Sequence, residues 1–281
     1  MNKNSLITED LELKTAQEIL KYALDKYQDK VALASSFGAE DVVLIDMLVK
    51  ICPEARVFTL DTGRLPQETY DLMDKIKEKY RIKLEVYYPD TKSVEDMVSK
   101  EGFNLFYKSV ELRQLCCKVR KVDPLNRALK NLSAWICGLR REQSVTRREI
   151  KKIEIWNMVF TPVNEPRGIG HLRPSNEPEG STPKGSTPKG STPEGSTPEG
   201  STQSSTSIVK FNPLADWTEK QVWDYIKENN VPYNALHDKG YPSIGCAPCT
   251  RAIKPGEDIR AGRWWWESPD KKECGLHCKT G

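Results

Sequence analysis

The strongest constraint on the fold is an alternation in the first half of the chain. Residues 12–27 have amphipathic helical spacing, and Val31–Ala34 is a short apolar run ended by SSFGAED. EDVVLIDMLVKI returns to helical spacing, and RVFTLDTG follows as a strand and turn. PQETYDLMDKIKEKY is another helix, opened by Pro66 near its first position, where a missing N–H does no harm. KLEVYYP and Ala134–Leu139 are two further strands. Strands that alternate with helices form parallel β-α-β units, so the expected fold class is α/β with a parallel, doubly wound sheet. Ligands on such sheets bind beyond the C-terminal ends of the strands. SSFGAED, LDTGR and GLRREQ fall there.

The segment 165–207 breaks the pattern. It carries GSTPKGSTPKGSTPEGSTPEGSTQ, a five-residue repeat with no large apolar side chain. Such a stretch cannot bury enough surface to offset the entropy of ordering it, so a disordered surface insertion is expected. Order returns at IVKFNPL, and Thr218 with Gln221 makes a capping box ahead of QVWDYIKENN. The expected organisation is one α/β domain from 1–164 and 208–264, the 165–207 insertion, and a mobile C-terminal tail, 265–281. A chain of 281 residues, 37% hydrophobic, supports that core, and a net charge of +3 gives no reason to expect nucleic acid as a partner. The N-terminus has no apolar signal core, and no run approaches the ~18 apolar residues of a membrane span. A cytoplasmic protein with no membrane partner is therefore expected, with assembly into a homo-oligomer left open.

Eight cysteines stand at 52, 116, 117, 137, 246, 249, 274 and 278. Without a secretion signal they read as metal-binding or catalytic before they read as disulfides. Cys52 and Cys137 sit alone in apolar stretches and are expected to be core residues. Cys246-x-x-Cys249 has chelating spacing, open to zinc, iron–sulfur or redox use. The adjacent pair Cys116 and Cys117 is the obvious source of two more ligands. Neighbouring side chains diverge, so two vicinal thiolates suit a cube that offers each its own iron, and a [4Fe–4S] cluster is preferred to zinc. Cys274 lies near the chain end, where a buried structural cysteine is not expected. Lys271, Lys272 and His277 can lower its pKa if they lie near it. Cys278 is read as incidental.

Together these residues make the chain resemble the assimilatory adenylyl-sulfate and phosphoadenylyl-sulfate reductases. The matching stretches are SSFGAEDVVL (35–44), LDTGRL (60–65), CCKVRKVDPLNRAL (116–129), GLRREQSVTR (138–147), KFNPLADWT (210–218), YNALHDKGYPSIGCAPCTR (233–251), GRWWWE (262–267) and KKECGLH (271–277). The resemblance implies an adenine-nucleotide α-hydrolase type of sheet. It implies attack by Cys274 on the sulfonucleotide sulfur, release of AMP, and release of sulfite by thioredoxin or glutaredoxin. It also implies a [4Fe–4S] cluster on Cys116, Cys117, Cys246 and Cys249, with adenylyl sulfate as substrate.

An anionic substrate attacked by a thiolate needs fixed cations. By the resemblance these are Lys121, Arg147, Arg260 and Arg263, with His277 beside the nucleophile. Ser35, Ser36, Gly38 and Asp41 belong to the phosphate-holding loop, and Leu60, Thr62 and Gly138 to the nucleotide site. Three consecutive tryptophans, 264–266, cannot all face inward, so at least one is expected to meet a ligand or partner. Other readings are use of the 3′-phosphorylated nucleotide or both nucleotides, an ATP-using nucleotidyltransferase of the same fold, and a non-catalytic iron–sulfur redox sensor. The absence of an SGGxDS loop argues against ATP cleavage, and the tail cysteine and cationic set would have no role in a sensor.

Overall fold

The computed structural model describes residues 10–159 and 205–268. The chain divides into Met1–Met158 with Ser207–Gly281, and Val159–Thr206; the fold below is that of the first unit. Helix α1 (Ala16–Tyr27) opens on a capping box between Thr15 and Glu18. Strand β1 (Val31–Ala34) leads into α2 (Ala39–Ile51), β2 (Val57–Leu60), α3 (Gln67–Tyr80), β3 (Leu84–Tyr87) and α4 (Thr91–Glu101). Pro66 is the N-cap of α3 rather than its first residue, since its ψ of 150° is extended. Then come α5 (Val110–Cys117), a π-helical turn over Lys118–Val122, α6 (Asp123–Leu129) and β4 (Ala134–Ile136). β5 (Ile153–Val159), β6 (Ser205–Phe211) and α7 (Glu219–Glu228) follow, and α7 carries the expected Thr218–Gln221 capping box. The sequence boundary at 207/208 falls inside β6.

The six strands run in the order β3-β2-β1-β4-β6-β5, and β1 pairs in parallel with both β2 and β4. β2 with β3, and β4 with β6, are parallel too. The expected parallel α/β sheet is therefore present. Its order reverses at β1, so the crevice between the ends of β1 and β4 is the switch point where such sheets hold ligands. The core explains why. Leu33, Val57, Ile136 and Phe211 are buried on the sheet, and α2 buries Val42 through Leu48 between the sheet, α1 and α7. A helix that is apolar on nearly every face needs cover on nearly every side, which pins α2, and the loop before it, to the end of β1. Each apolar side chain among them contributes about 1.5–3 kcal/mol by leaving water.

The π turn has a local cause. Pro124, at the start of α6, has no N–H for the usual bond four residues back. The backbone widens there, and the Asp123 N–H bonds the Lys118 carbonyl, five residues back. Two sequence neighbours, Arg120 and Lys121, lie within this turn. Among the described residues no helix is long and apolar enough to cross a membrane.

Candidate active site

At the C-terminal ends of β1, β2 and β4 lies a cavity of about 250 Å³. Ser35, Ser36, Gly38, Asp41, Leu60, Thr62, Lys121, Gly138, Arg147, Arg260 and Arg263, separated by more than 200 positions in sequence, all line it. The sheet brings the first loops together, and the segment after Cys249 delivers the two arginines.

The SSFGAED loop is shaped by Asp41. Its carboxylate accepts the Ser36 N–H at 2.6 Å and the Ser36 hydroxyl at 2.7 Å, while Phe37 takes a left-handed φ of 59°. Burial pushes the Asp41 carboxyl up to about 6; the two Ser36 bonds pull against that, and neighbouring Glu40 adds to it. Gly138 is required here, because a Cβ on it would lie 2.3 Å from Asp41 Oδ1. Gly38 is the N-cap of α2 and offers no side-chain cap, and Gly38, Ala39, Glu40 and Asp41 line the cavity, so the positive end of that helix lies at its edge, an arrangement suited to an anion.

A second, smaller cavity of about 20 Å³ adjoins it. Cys116, Cys117, Cys246 and Cys249 all line it, together with Arg64, Arg113 and Arg120. Lys121, Arg263 and Trp264 line both cavities and so form a shared wall. The four cysteines are buried, and no described cysteine is in a disulfide. Among the described residues no three Cys, His, Asp or Glu side chains are grouped to hold a metal ion; the cysteines surround the small cavity instead. Burial raises the Cys116 thiol, and burial together with Cys246 pushes Cys249 up to about 12. Burial would raise Cys246 as well, but Lys121, the Thr62 hydroxyl, Arg263 and Arg120 outweigh it and hold that thiol below its ordinary value.

The cysteine pocket passes a test for an anionic, acceptor-rich group. Among the described residues, Arg120 Nε, Arg263 Nε and Trp264 Nε1 are buried around it without hydrogen-bond partners. All three are donors. Buried donors without acceptors are costly, and the sulfides and thiolates of an iron–sulfur cluster are acceptors. The donor set, four thiols and no histidine, also fits such a cluster.

Other predicted residues have definite places. The Thr62 hydroxyl lies 3.3 Å from Cys246 Sγ and accepts the Arg64 N–H, so its side chain serves the cysteine pocket. Cys137 is buried, with its thiol pushed up to about 12 by burial, and Cys52 packs partly buried against the main core. Of the three tryptophans, Trp264 is buried in the shared wall and Trp265 is 40% exposed. Cys274, His277 and Cys278 lie outside the described residues, as does most of the repeat segment. Sequence reasoning missed Arg113, Arg120, Trp223 and His237, all lining one cavity or the other. Arg113 had a signal: it stands four residues before Cys117 on α5, hence on the same face. His237 had only its place in the matching stretch 233–251, which gave it no role of its own.

The chain matches the phosphoadenosine phosphosulfate reductase domain over residues 30–252. It is 45% identical over 252 residues to the adenosine 5′-phosphosulfate reductase of Burkholderia cepacia, covering 90% of this chain and 82% of that one. Against the adenosine 5′-phosphosulfate reductase of Allochromatium vinosum it is 43% identical over 274 residues, covering 97% and 89%. The solved structure of phosphoadenylyl-sulfate reductase from Candida auris, a phosphate complex, is similar with a TM-score of 0.61 at 25% identity, covering 90% of this chain and 98% of that one. The chain therefore belongs to the adenosine 5′-phosphosulfate and phosphoadenosine phosphosulfate reductase family of enzymes.

Proposed function

We propose that this enzyme reduces adenylyl sulfate to sulfite and AMP in assimilatory sulfate reduction, with Cys274 as nucleophile and thioredoxin or glutaredoxin as reductant. The observation that carries the reading is the shared wall. One cavity collects the nucleotide-loop residues and Lys121, Arg147, Arg260 and Arg263, and it abuts a pocket of four cysteines through Lys121, Arg263 and Trp264.

The chemistry follows from the charges. The Cys274 thiolate attacks the sulfate sulfur. The bond from that sulfur to the bridging oxygen breaks, and AMP leaves with the electron pair. Lys121, Arg260 and Arg263 offset the negative charge that gathers on the departing phosphate and the sulfonate. A dithiol then attacks Cys274 Sγ of the S-sulfonate. Sulfite leaves with that bond's electron pair, and the second thiol closes a disulfide in the reductant and restores the Cys274 thiolate. Two electrons pass from the dithiol to sulfur. Cys116, Cys117, Cys246 and Cys249 would hold a [4Fe–4S] cluster. Bound there, it supplies fixed charge and hydrogen-bond acceptors that order Arg120, Lys121 and Arg263, and no electron is required of it.

The test is sulfite production from adenylyl sulfate and from its 3′-phosphorylated form, with thioredoxin, on anaerobically purified protein assayed for iron and sulfide. Faster turnover of adenylyl sulfate, lost in Cys274→Ser while AMP still binds, is expected. Turnover of neither nucleotide would refute the reading. Faster turnover of the 3′-phosphorylated form would favour the second reading, which the likeness to the Candida auris protein supports. Bound iron without turnover would point to a sensor.

A further inference from the structure

Arg113 and Glu267 make an ion pair whose side chains are 0% and 3% exposed, with two hydrogen bonds of 2.9 and 2.8 Å. Neither residue lines the nucleotide cavity. The cost of taking two charges out of water is offset only by near-ideal geometry and further hydrogen bonds, and Arg113 also bonds the Cys117 side chain. The pair acts on Trp264 as well. This residue is 1% exposed and holds a left-handed φ of 41°, a conformation unfavourable for a bulky side chain. The Arg113 guanidinium stacks on its ring at 4.8 Å, and the Glu267 N–H closes the turn onto the Trp264 carbonyl at 2.8 Å. The pair thus grips the turn from two sides, through a ring and through the backbone.

Trp264 passes that hold on. The Arg263 guanidinium stacks on the same ring at 4.7 Å. Among the described residues its further support is a 3.3 Å bond to the Ile244 carbonyl and the bare face of Gly245, and its Nε has no partner there. The Trp264 N–H also bonds the Cys249 carbonyl at 3.2 Å, which ties the turn to the cysteine loop.

We propose that the Arg113–Glu267 ion pair is a positioning device for the anion-binding end of the cavity: it clamps the strained Trp264 turn, and Trp264 holds Arg263 in the wall shared by the two cavities. This rests on the reading that the cavity takes an anionic nucleotide. Arg113 and Glu267 are positioning residues, acting on the substrate through Arg263.

The experiment is a double-mutant cycle read by calorimetric titration with AMP and with adenosine. The proteins are wild type, Glu267→Gln, Arg263→Ala and the double variant, with Arg113→Lys as a second way to break the fork while keeping the charge. A charge-assisted bond to phosphate is worth roughly 10- to 150-fold in affinity. Partial loss of Arg263 placement should therefore weaken AMP by about 5- to 20-fold in Glu267→Gln, while adenosine changes by less than about twofold. In the Arg263→Ala background the same substitution should change AMP affinity by less than about twofold, because coupled residues are not additive. An equal loss in both backgrounds, or equal loss for AMP and adenosine, overturns the proposal. Hydrogen exchange without ligand reads the clamp independently. The Trp264 and Glu267 amides should exchange at least ~10-fold faster in Glu267→Gln while those of α2 do not change; unchanged exchange at the turn also overturns it. If wild type binds neither ligand, the functional reading falls, and the exchange result still decides the clamp.

Discussion

Replacing Gly245 with alanine places a methyl group where Arg263 lies. The new Cβ would stand 2.3 Å from Arg263 Nη2, 2.5 Å from Cζ and 2.9 Å from Nη1. Ordinary contact begins near ~3.4 Å, so the guanidinium must retreat by about 1.1 Å. The Gly245 backbone itself is not in the left-handed region and accepts alanine, and its N–H keeps the 3.1 Å bond to the Thr250 hydroxyl. Arg263 then leaves its stack on Trp264 and its bond to Ile244. The fold should lose no more than about 1–3 kcal/mol, the usual range for overpacking, because the end of an arginine can swing into the open cavity. Anion binding should suffer more. Losing one charge-assisted bond of about 1.5–3 kcal/mol weakens AMP by roughly 10- to 150-fold. Calorimetric titration with AMP measures this, with urea unfolding and iron analysis as controls for the fold and the cysteine pocket. AMP affinity within twofold of wild type, in a folded variant of normal iron content, would refute the claim that Arg263 meets the phosphate from this position.

Gly138→Ala drives a methyl to 2.3 Å from Asp41 Oδ1, which should distort the SSFGAED loop and weaken both AMP and adenosine; a loss confined to AMP would contradict it. Asp41→Asn tests burial of the acid. The Asp41 carboxyl lies at about 6 in the fold against an ordinary 3.8, so the fold holds the proton more tightly than the unfolded chain, and stability falls as pH rises from about 4 to about 6. The stability difference between variant and wild type, from urea midpoints, should therefore shift in the variant's favour by about 3 kcal/mol over that window, and a pH-independent difference would sink the argument. Lys121→Ala should slow single-turnover S-sulfonate formation at least ~10-fold with iron content near wild type, whereas an unchanged rate would remove Lys121 from the site. Deleting 176–203, which stops short of β6, should leave sulfite production within about twofold; a large loss with the fold preserved would make the repeat functional.

Much of this molecule was legible in the residue order, for local reasons. Val31–Ala34, RVFTL, KLEVY and AWI are runs rich in branched and aromatic residues, too short for helices, and each became a parallel strand. EDVVLIDMLVKI announced a helix by its spacing, and the capping box at Thr218 marked another. Once strands alternate with helices, chain geometry alone puts the intervening loops at one edge of the sheet. That is why the loops SSFGAED, LDTGR and GLRREQ could be placed at the site before their cavity was seen, while Lys121, Arg147, Arg260 and Arg263 came from the family resemblance.

Tertiary structure decided what depends on contacts between distant positions. Cys116 and Cys117 meet Cys246 and Cys249 only because β6 inserts between β4 and β5 and returns the late segment to the end of α5. Gly138 against Asp41, and Gly245 beneath Arg263, are close approaches that no local pattern encodes. The helix face of Arg113 and the motif of Glu267 were visible in sequence, but nothing in either stretch showed that they are buried as a pair. Periodicity reports which face of an element is apolar, because that is a property of neighbours in sequence. Which charge meets which across the core is a property of packing, and it exists only once the whole sheet has closed around it.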